Sequence, residues 1–462
     1  MSGLTNDTTY YIAFYPETTD GGICSNLSQR ITGVANRITI GTNPSASGTL
    51  TYNGNTLSPT WNNYNTEQMT IGGTTSSINA GSYTATFTPK TDYRWSDGST
   101  TAKNVTWSIG KAAGTLSVSP TSLILSSGTT SATFTVSRSG NGTISAVSSN
   151  TGVVTVSPAN STATGNVTFT VSGVNSTNGE ATITISVAAG TNHTAPSNKT
   201  VSVAAIFSPM SGTSAMGGIT YTNGLSGLDA ATINTYSKAI SNNSSITNTT
   251  TTVYLNYPPT YRKISIGDQV TIALNGVNYT FDVIGFNHDV LATSTAYGTT
   301  TATGKAGITF QMHDLYGTRY QMNSDNTNSG GWVKSKMRTS TMVTMKSYLP
   351  SAWQSVLKPI TKTTGKGQGS SSVETSTDSC FLLAEFEVFG STGTSASNEG
   401  YYYAYYRAGN SRVKYQNGEA YRWWLRSPSS ASGGYFCRVY SNGNMDQYNA
   451  TSEYGVAFAF CV

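Results

Sequence analysis

Three histidines (His193, His288, His313) and four cysteines (Cys24, Cys380, Cys437, Cys461) are the scarce side chains on which acid–base, nucleophilic or metal chemistry would have to rest. Hydrolysis or group transfer needs a nucleophile beside its base, a metal cage, or paired carboxylates in a cleft. The chain has no HExxH, no GxSxG and no phosphate loop. His288 stands in Phe286-Asn-His-Asp289, and one neighbouring carboxylate is too little for a catalytic dyad, so a hydrogen-bonded structural histidine is expected. The cysteines lie far apart without a CxxC pair, which excludes zinc ribbons and thioredoxin-like chemistry. They are expected to be mostly buried thiols. A Cys437–Cys461 bridge stays open, because both fall in apolar terminal strands, but it would need an oxidising compartment. Asp325-Asn-Thr-Asn-Ser-Gly330 imitates the first half of a calcium loop. Lys336 stands where the bidentate Glu should be, so calcium is not expected. The reading is of a non-enzyme with no catalytic residue, metal or cofactor.

The elements that must carry these residues are short. Only 10% of the 462 residues are charged, against about 25% in ordinary soluble proteins. Ser, Thr, Asn and Gly take their place, as in secreted and virion β-proteins, and this argues against a cytoplasmic metabolic enzyme. The net charge of +5 gathers into no continuous basic patch, so no nucleic-acid partner is expected. A thin basic cluster from Lys334 to Lys366 reads as a solvated helix face. No apolar run is long enough to span a membrane, so no membrane insertion is expected. The opening Met1-Ser-Gly-Leu-Thr-Asn-Asp has neither the basic nor the apolar segment of a secretory signal.

Along the chain, Thr9 to Tyr15 alternates as a strand ending at Pro16. With Leu4-Thr-Asn-Asp-Thr-Thr-Tyr it resembles the late strands of a fibronectin type III domain, over residues 1–42. Residues 43–112 hold strand patterns at Gly48–Tyr52, Gly81–Pro89 and Val105–Ile109, with Asn53-Gly54 as a hairpin signal. Residues 113–204 hold strands at Thr115–Val118, Ser131–Val136, Val153–Val156, Asn166–Val171, Glu180–Val187 and Lys199–Val203. Both segments resemble bacterial Ig-like modules, and strands at this spacing are the sandwich signature. Residues 205–254 are poor in apolar side chains and read as a linker or lead-in.

From 255 to 462 aromatics, Met and charges rise. A hairpin is expected around Asn275-Gly276, then a strand at Lys305–Met312. A helical pattern follows with Val333, Met337 and Val343, and a second helix is opened by a Ser351/Gln354 capping box. The succession of Phe281–Asn287, Tyr320–Ser324, Ser329–Trp332, Trp423–Pro428 and Gly455–Phe460 resembles an uncharacterised family common in gut-bacterial and phage tail proteins. That family is related to the C-type-lectin-like, formylglycine-generating-enzyme-like fold. The fold class is therefore read as mostly β: tandem Ig-like β-sandwiches followed by an α+β C-type-lectin-like domain. The sugar-binding motifs of calcium-dependent lectins and the copper-binding cysteines of the oxidase are absent.

The resemblance implies a display scaffold, in which the Trp423–Pro428 block and the last strand are fixed core and Ser429–Glu453 is presented outward. Domains of this fold are the usual targets of diversity-generating retroelements, which mutate adenines in chosen codons. Tyr435, Arg438, Tyr440, Asn442, Asn444, Asp446, Tyr448 and Asn449 are all reachable from an Asn codon in that way, and they are the candidate ligand-binding residues. Tyr and Arg suit such a surface because each joins contact area to directional hydrogen bonding. Trp423 and Trp424 could stack on sugar, but packing is the commoner fate of adjacent aromatics, so at least one is expected in the core and Arg426 in a buried ion pair. The function this implies is a phage tail or fibre-tip adhesin located on the virion tail. It would contact a host-surface protein or glycan and other tail proteins, and a homotrimer would suit a fibre. The alternatives are a bacterial surface or secreted adhesin and a purely structural tail subunit.

Overall fold

A computed structural model describes residues 4–14, 19–20 and 29–462. Cys24 and the end of the first strand at Tyr15 and Pro16 lie outside the described residues. The chain is mostly β. It divides into two compact units, one of residues 1–123, 131–172 and 181–202, the other of 124–130, 173–180 and 203–462.

The first unit opens with Thr9–Phe14 paired antiparallel to Gln29–Val34. A module follows whose main sheet runs in the order Leu50–Thr51, Lys103–Gly110, Gly81–Pro89, Met69–Gly73. Ile38–Ile40 pairs in parallel with Tyr93–Trp95, and Ile40 joins Met69, Ala85, Phe87 and Trp95 in the module's core. The module thus begins before residue 43, because Ile40 of this strand is buried in its core, although Ile38 and Thr39 stay exposed. Asn53-Gly54 closes no hairpin. Leu50–Thr51 pairs with Lys103–Gly110 instead, and Asn53 Oδ1 accepts the Asn55 N–H in a local turn.

In the second sandwich all six expected strands form, with Ser122–Ser126, Ile144–Ser148 and Asn160–Ser161 in addition. One sheet has four strands and the other five. Phe134 and Phe169 lie directly opposite in register and stack at 5.4 Å. The two sandwiches are joined by amides: Asn192 Oδ1 accepts from Ala80 N–H at 2.8 Å and Asn192 Nδ2 donates to Asn79 Oδ1 at 3.0 Å. Lys111 Nζ donates to Gly190 O at 2.7 Å.

The second unit corrects the expected linker. Residues 205–254 include the helix Ala230–Ser241, capped by Asp229 Oδ1 on the Thr232 N–H at 2.7 Å. Ile233, Tyr236 and Ile240, spaced three and four apart along one face, are buried in the same core as Phe281, Phe310 and Phe460. Just before the strand Ile308–Met312, a Cβ on Gly307 would lie 1.9 Å from the Ser237 carbonyl oxygen of this helix. Ser237 Oγ also accepts the Ile308 N–H and donates to the Val462 carbonyl.

That core is floored by a five-stranded sheet in the order Gln269–Leu274, Val277–Phe286, Ile308–Met312, Ala459–Cys461, Cys380–Phe381. Asn275 and Gly276 turn the first hairpin with φ of 47° and 81°, the positive pair a type I′ turn needs. The helical stretch is Gly331–Lys334 and Met342–Tyr348 with a π-turn, Met337–Thr341, between them. The wider turn shifts the phase, so Met337, Met342 and Met345 face inward while Val343 is exposed. The capping box at Ser351 does not form. Pro350 is the N-cap and the Gln354 amide donates to the Leu349 carbonyl instead.

Candidate functional site

The candidate residues lie on a three-stranded antiparallel sheet, Trp423–Pro428, Tyr435–Val439, Met445–Asn449. Its inner strand is core: Trp423, Trp424, Leu425 and Arg426 are all fully buried. Arg426 forms a two-point ion pair with Glu387, Nη1 to Oε2 at 2.5 Å and Nη2 to Oε1 at 3.1 Å. Lys362 Nζ reaches the same carboxylate at 2.9 Å and Asp289 Oδ1 at 2.5 Å. Burial pushes the Asp289 carboxyl up, but Lys362 and His288 beside it prevail and hold it well below the usual carboxylate range. Burial likewise opposes the charge on Glu387, and Arg426 and Lys362 keep it ionised. Glu399, which receives Ser427 Oγ–H, is pushed up by burial despite Arg426 nearby.

His288 is structural in geometry. Its ring stacks on Tyr403 at 3.6 Å and Nε2 donates to the Tyr401 carbonyl at 2.9 Å. The gap beside this network is a cavity of about 80 Å³, room for no more than a few waters. Among the described residues, no group of three or more His, Cys, Asp or Glu side chains could hold a metal ion. Cys380, Cys437 and Cys461 are free and buried, so the Cys437–Cys461 bridge is absent. Burial pushes the Cys380 thiol up to about 12, and those of Cys437 and Cys461 well above the ordinary range, which leaves little thiolate for chemistry.

The middle strand corrects one expectation. Phe436, Cys437, Arg438 and Val439 are all buried, because this strand has neighbours on both edges and packing on both faces. Arg438 is 4% exposed and is no outward anchor. Its Nε and Nη2 donate to Asp446 Oδ2 at 2.8 and 2.5 Å. Its guanidinium lies 4.2 Å from the ring centres of both Tyr448 and Tyr454. Asp446 is thereby a supporting residue too.

The edge strand and its turn carry what is presented. Tyr448, Asn442 and Asn444 are exposed, and Tyr435, Tyr440 and Asn449 half-buried. Tyr435 and Tyr448 hold their rings nearly parallel, 14° apart, with centres 6.5 Å apart. The turn is closed by Tyr440 N–H to Asn444 O at 2.8 Å, with Asn442 Oδ1 accepting the Asn444 N–H. The base of the ribbon is pinned by Asn328, fully buried, whose amide nitrogen donates to the carbonyls of Ser429, Ser432 and Tyr435. The half calcium loop thus serves as a backbone clamp.

Three neighbours that the sequence reading did not single out, Arg422, Arg319 and Tyr421, extend this face above the buried Tyr454. Arg422 lies 4.2 Å over the Tyr440 ring and donates to its hydroxyl at 2.5 Å. Arg319 lies 3.8 Å over Tyr421, which in turn meets Tyr454. Tyr454 packs on Trp424 at 5.0 Å. The Tyr421-Arg422 pair immediately before the Trp-Trp block was the available signal. Arg319 was reachable only through the fold.

The architecture is that of a β-rich chain in which β-sandwiches precede a domain with a buried ionic core and a tyrosine- and arginine-lined sheet edge. Residues 306–462 match the family described as a domain of unknown function (DUF6273). No curated protein matches the chain in sequence. Solved structures with similarity include the Yersinia pseudotuberculosis adhesin InvE, 12% identical over 90% of this chain and 96% of that one, with a TM-score of 0.22. The Escherichia coli adhesin FdeC is 13% identical over 58% and 90%, with a TM-score of 0.18. The D00-D0 domain of intimin is 12% identical over 34% and 99%, with a TM-score of 0.17. TM-scores this low carry no equivalence of fold, and the paired strands described above define the architecture. Among the described residues no helix is long and apolar enough to cross a membrane.

Proposed function

We propose that this protein is an adhesin, whose sandwiches serve as spacers and whose C-terminal domain binds a host-surface partner through the Tyr435–Asn449 edge. The observation that carries the reading is the contrast across one sheet. Trp423–Pro428 is buried residue by residue, whereas Tyr448, Asn442 and Asn444 stand out on the edge strand and its turn. A surface rich in tyrosine and amides, held by a rigid scaffold, is the composition of protein-recognition faces generally. On this reading the domain is C-type-lectin-like, non-catalytic and without cofactor. The protein sits on the tail of a bacteriophage beside other tail proteins, as a homotrimer, and the Tyr435–Asn449 stretch is open to retroelement diversification.

The test is binding of the labelled full chain to candidate host cells. Tyr435→Ala with Tyr448→Ala is expected to abolish it while leaving the melting temperature nearly unchanged. Unaltered binding in that double variant removes the face. Tail genes adjoining this gene, and an adenine-biased near-repeat of its 3′ end beside a reverse transcriptase, separate the phage reading from a bacterial surface protein of the same build.

A further inference from the structure

We infer that the partner recognised by this face carries clustered carboxylates of a protein surface, and that Arg319 and Arg422 are the residues that receive them. The inference rests on the adhesin reading and names the chemistry of its ligand.

The three arginines of the patch differ in one respect. Arg438 is neutralised by Asp446 and buried. Arg319 and Arg422 take part in no ion pair among the described residues, and the nearest acids in sequence, Glu419 and Glu453, are exposed and pair with neither. Arg319 is exposed, with Nε held by Gln416 Oε1 at 2.7 Å. Arg422 is fixed by its contact with Tyr440. Stacking on tyrosine orients each guanidinium and costs it little hydration; with Nε of Arg319 held by Gln416 and Nε of Arg422 buried, the terminal Nη groups are what each offers a carboxylate.

The same stacking argues against a sugar as the occupant. A pyranose ring would need open aromatic faces, and those of Tyr421 and Tyr440 are each covered by an arginine. Outward on this face stand the Asn442 and Asn444 amides, the two guanidinium groups and the partly exposed ring of Tyr448, over which Arg438 lies at 4.2 Å, and this mixture suits side-chain carboxylates presented from a polypeptide.

The experiment uses the full chain, with poly-L-glutamate as the peptide probe and hyaluronate as a carboxylate-bearing glycan. Wild type is expected to bind poly-L-glutamate with an affinity that falls as salt rises. Arg319→Gln with Arg422→Gln should weaken it about tenfold or more. Lys334→Gln with Lys336→Gln, which removes the same charge elsewhere on the exposed surface, should leave it almost unchanged. Absence of poly-L-glutamate binding, equal weakening by both pairs, or a preference for hyaluronate each overturns the inference. Arg319 is exposed, so Arg319→Gln alone keeps the test readable should the pair fold poorly. If the arginine pair leaves cell binding intact while the Tyr435→Ala, Tyr448→Ala pair abolishes it, the adhesin reading stands and only the carboxylate chemistry falls.

Discussion

Arg426 and Lys414 are both buried cations of the C-terminal domain, and their partners set them apart. Arg426 has the Glu387 carboxylate, so its charge is kept: burial opposes it and Glu387 outweighs the burial. Lys414 forms no ion pair among the described residues; its Nζ donates to the carbonyls of Met312 and His313 and lies 5.6 Å over the Trp423 ring, and burial pulls it down to about 8 from 10.5 despite Asp282 and Asp314. Between those two values the unfolded chain binds a proton that the folded chain has lost. Stability from this group therefore rises as pH climbs from about 8 to about 10.5, by roughly 3 kcal/mol in all. Denaturant unfolding across that range should show the rise in wild type and a flatter profile in Lys414→Met. Removing one partner of the buried pair strands the other, so Glu387→Gln should cost about 3–5 kcal/mol, read as a lowered urea midpoint at neutral pH. At Asn328, replacement by Ala removes the donor to the Ser429 and Ser432 carbonyls and leaves the Tyr435 carbonyl with the Ser429 N–H. Hydrogen exchange of residues 429–435 should speed up while the five-stranded sheet stays protected.

Elements formed where local chemistry and burial agreed. Asn275-Gly276 and Asn53-Gly54 carry the same turn signal, yet only the first joins two paired strands. Val270, Ile272 and Leu274 on one side and Phe281 and Val283 on the other are all buried, whereas Leu50–Thr51 finds a better neighbour in Ile109–Gly110, fifty-nine residues on. The helix Ala230–Ser241 was legible in principle, through Ile233, Tyr236 and Ile240, but the Ser, Thr and Asn around it masked the period. Its packing leads to a firm expectation at Gly307. Substitution by Ala forces helix and sheet apart and should destabilise the protein by roughly 1–3 kcal/mol, measurable as a fall in Tm.

At the scale of the whole chain the domain boundary is the main departure from the sequence reading. A fragment of residues 255–462 would leave Phe281, Phe310 and Ile308 without the helix that covers this core. It should therefore express as an aggregating or molten species, while 203–462 folds cooperatively; calorimetry of the two fragments decides this. The joint between the sandwiches rests on the Asn79 and Asn192 amides and on Lys111. Asn192→Ala should loosen it, and small-angle scattering of residues 38–202 would register the wider spread of shapes.

Composition, strand spacing and the Trp-Trp-Leu-Arg block were enough to read a β-rich chain of sandwiches and a buried Arg426, because alternation and turn residues act over a few neighbours. Which residues of 429–453 face outward was decided only in three dimensions. Arg438 is polar, yet a strand with neighbours on both edges and packing on both faces is buried whatever its sequence, while Tyr448 on the edge is exposed although aromatic. Arg319 and Tyr421 lie about a hundred residues apart in the chain. No local pattern can announce a contact that only the closure of the domain core brings about.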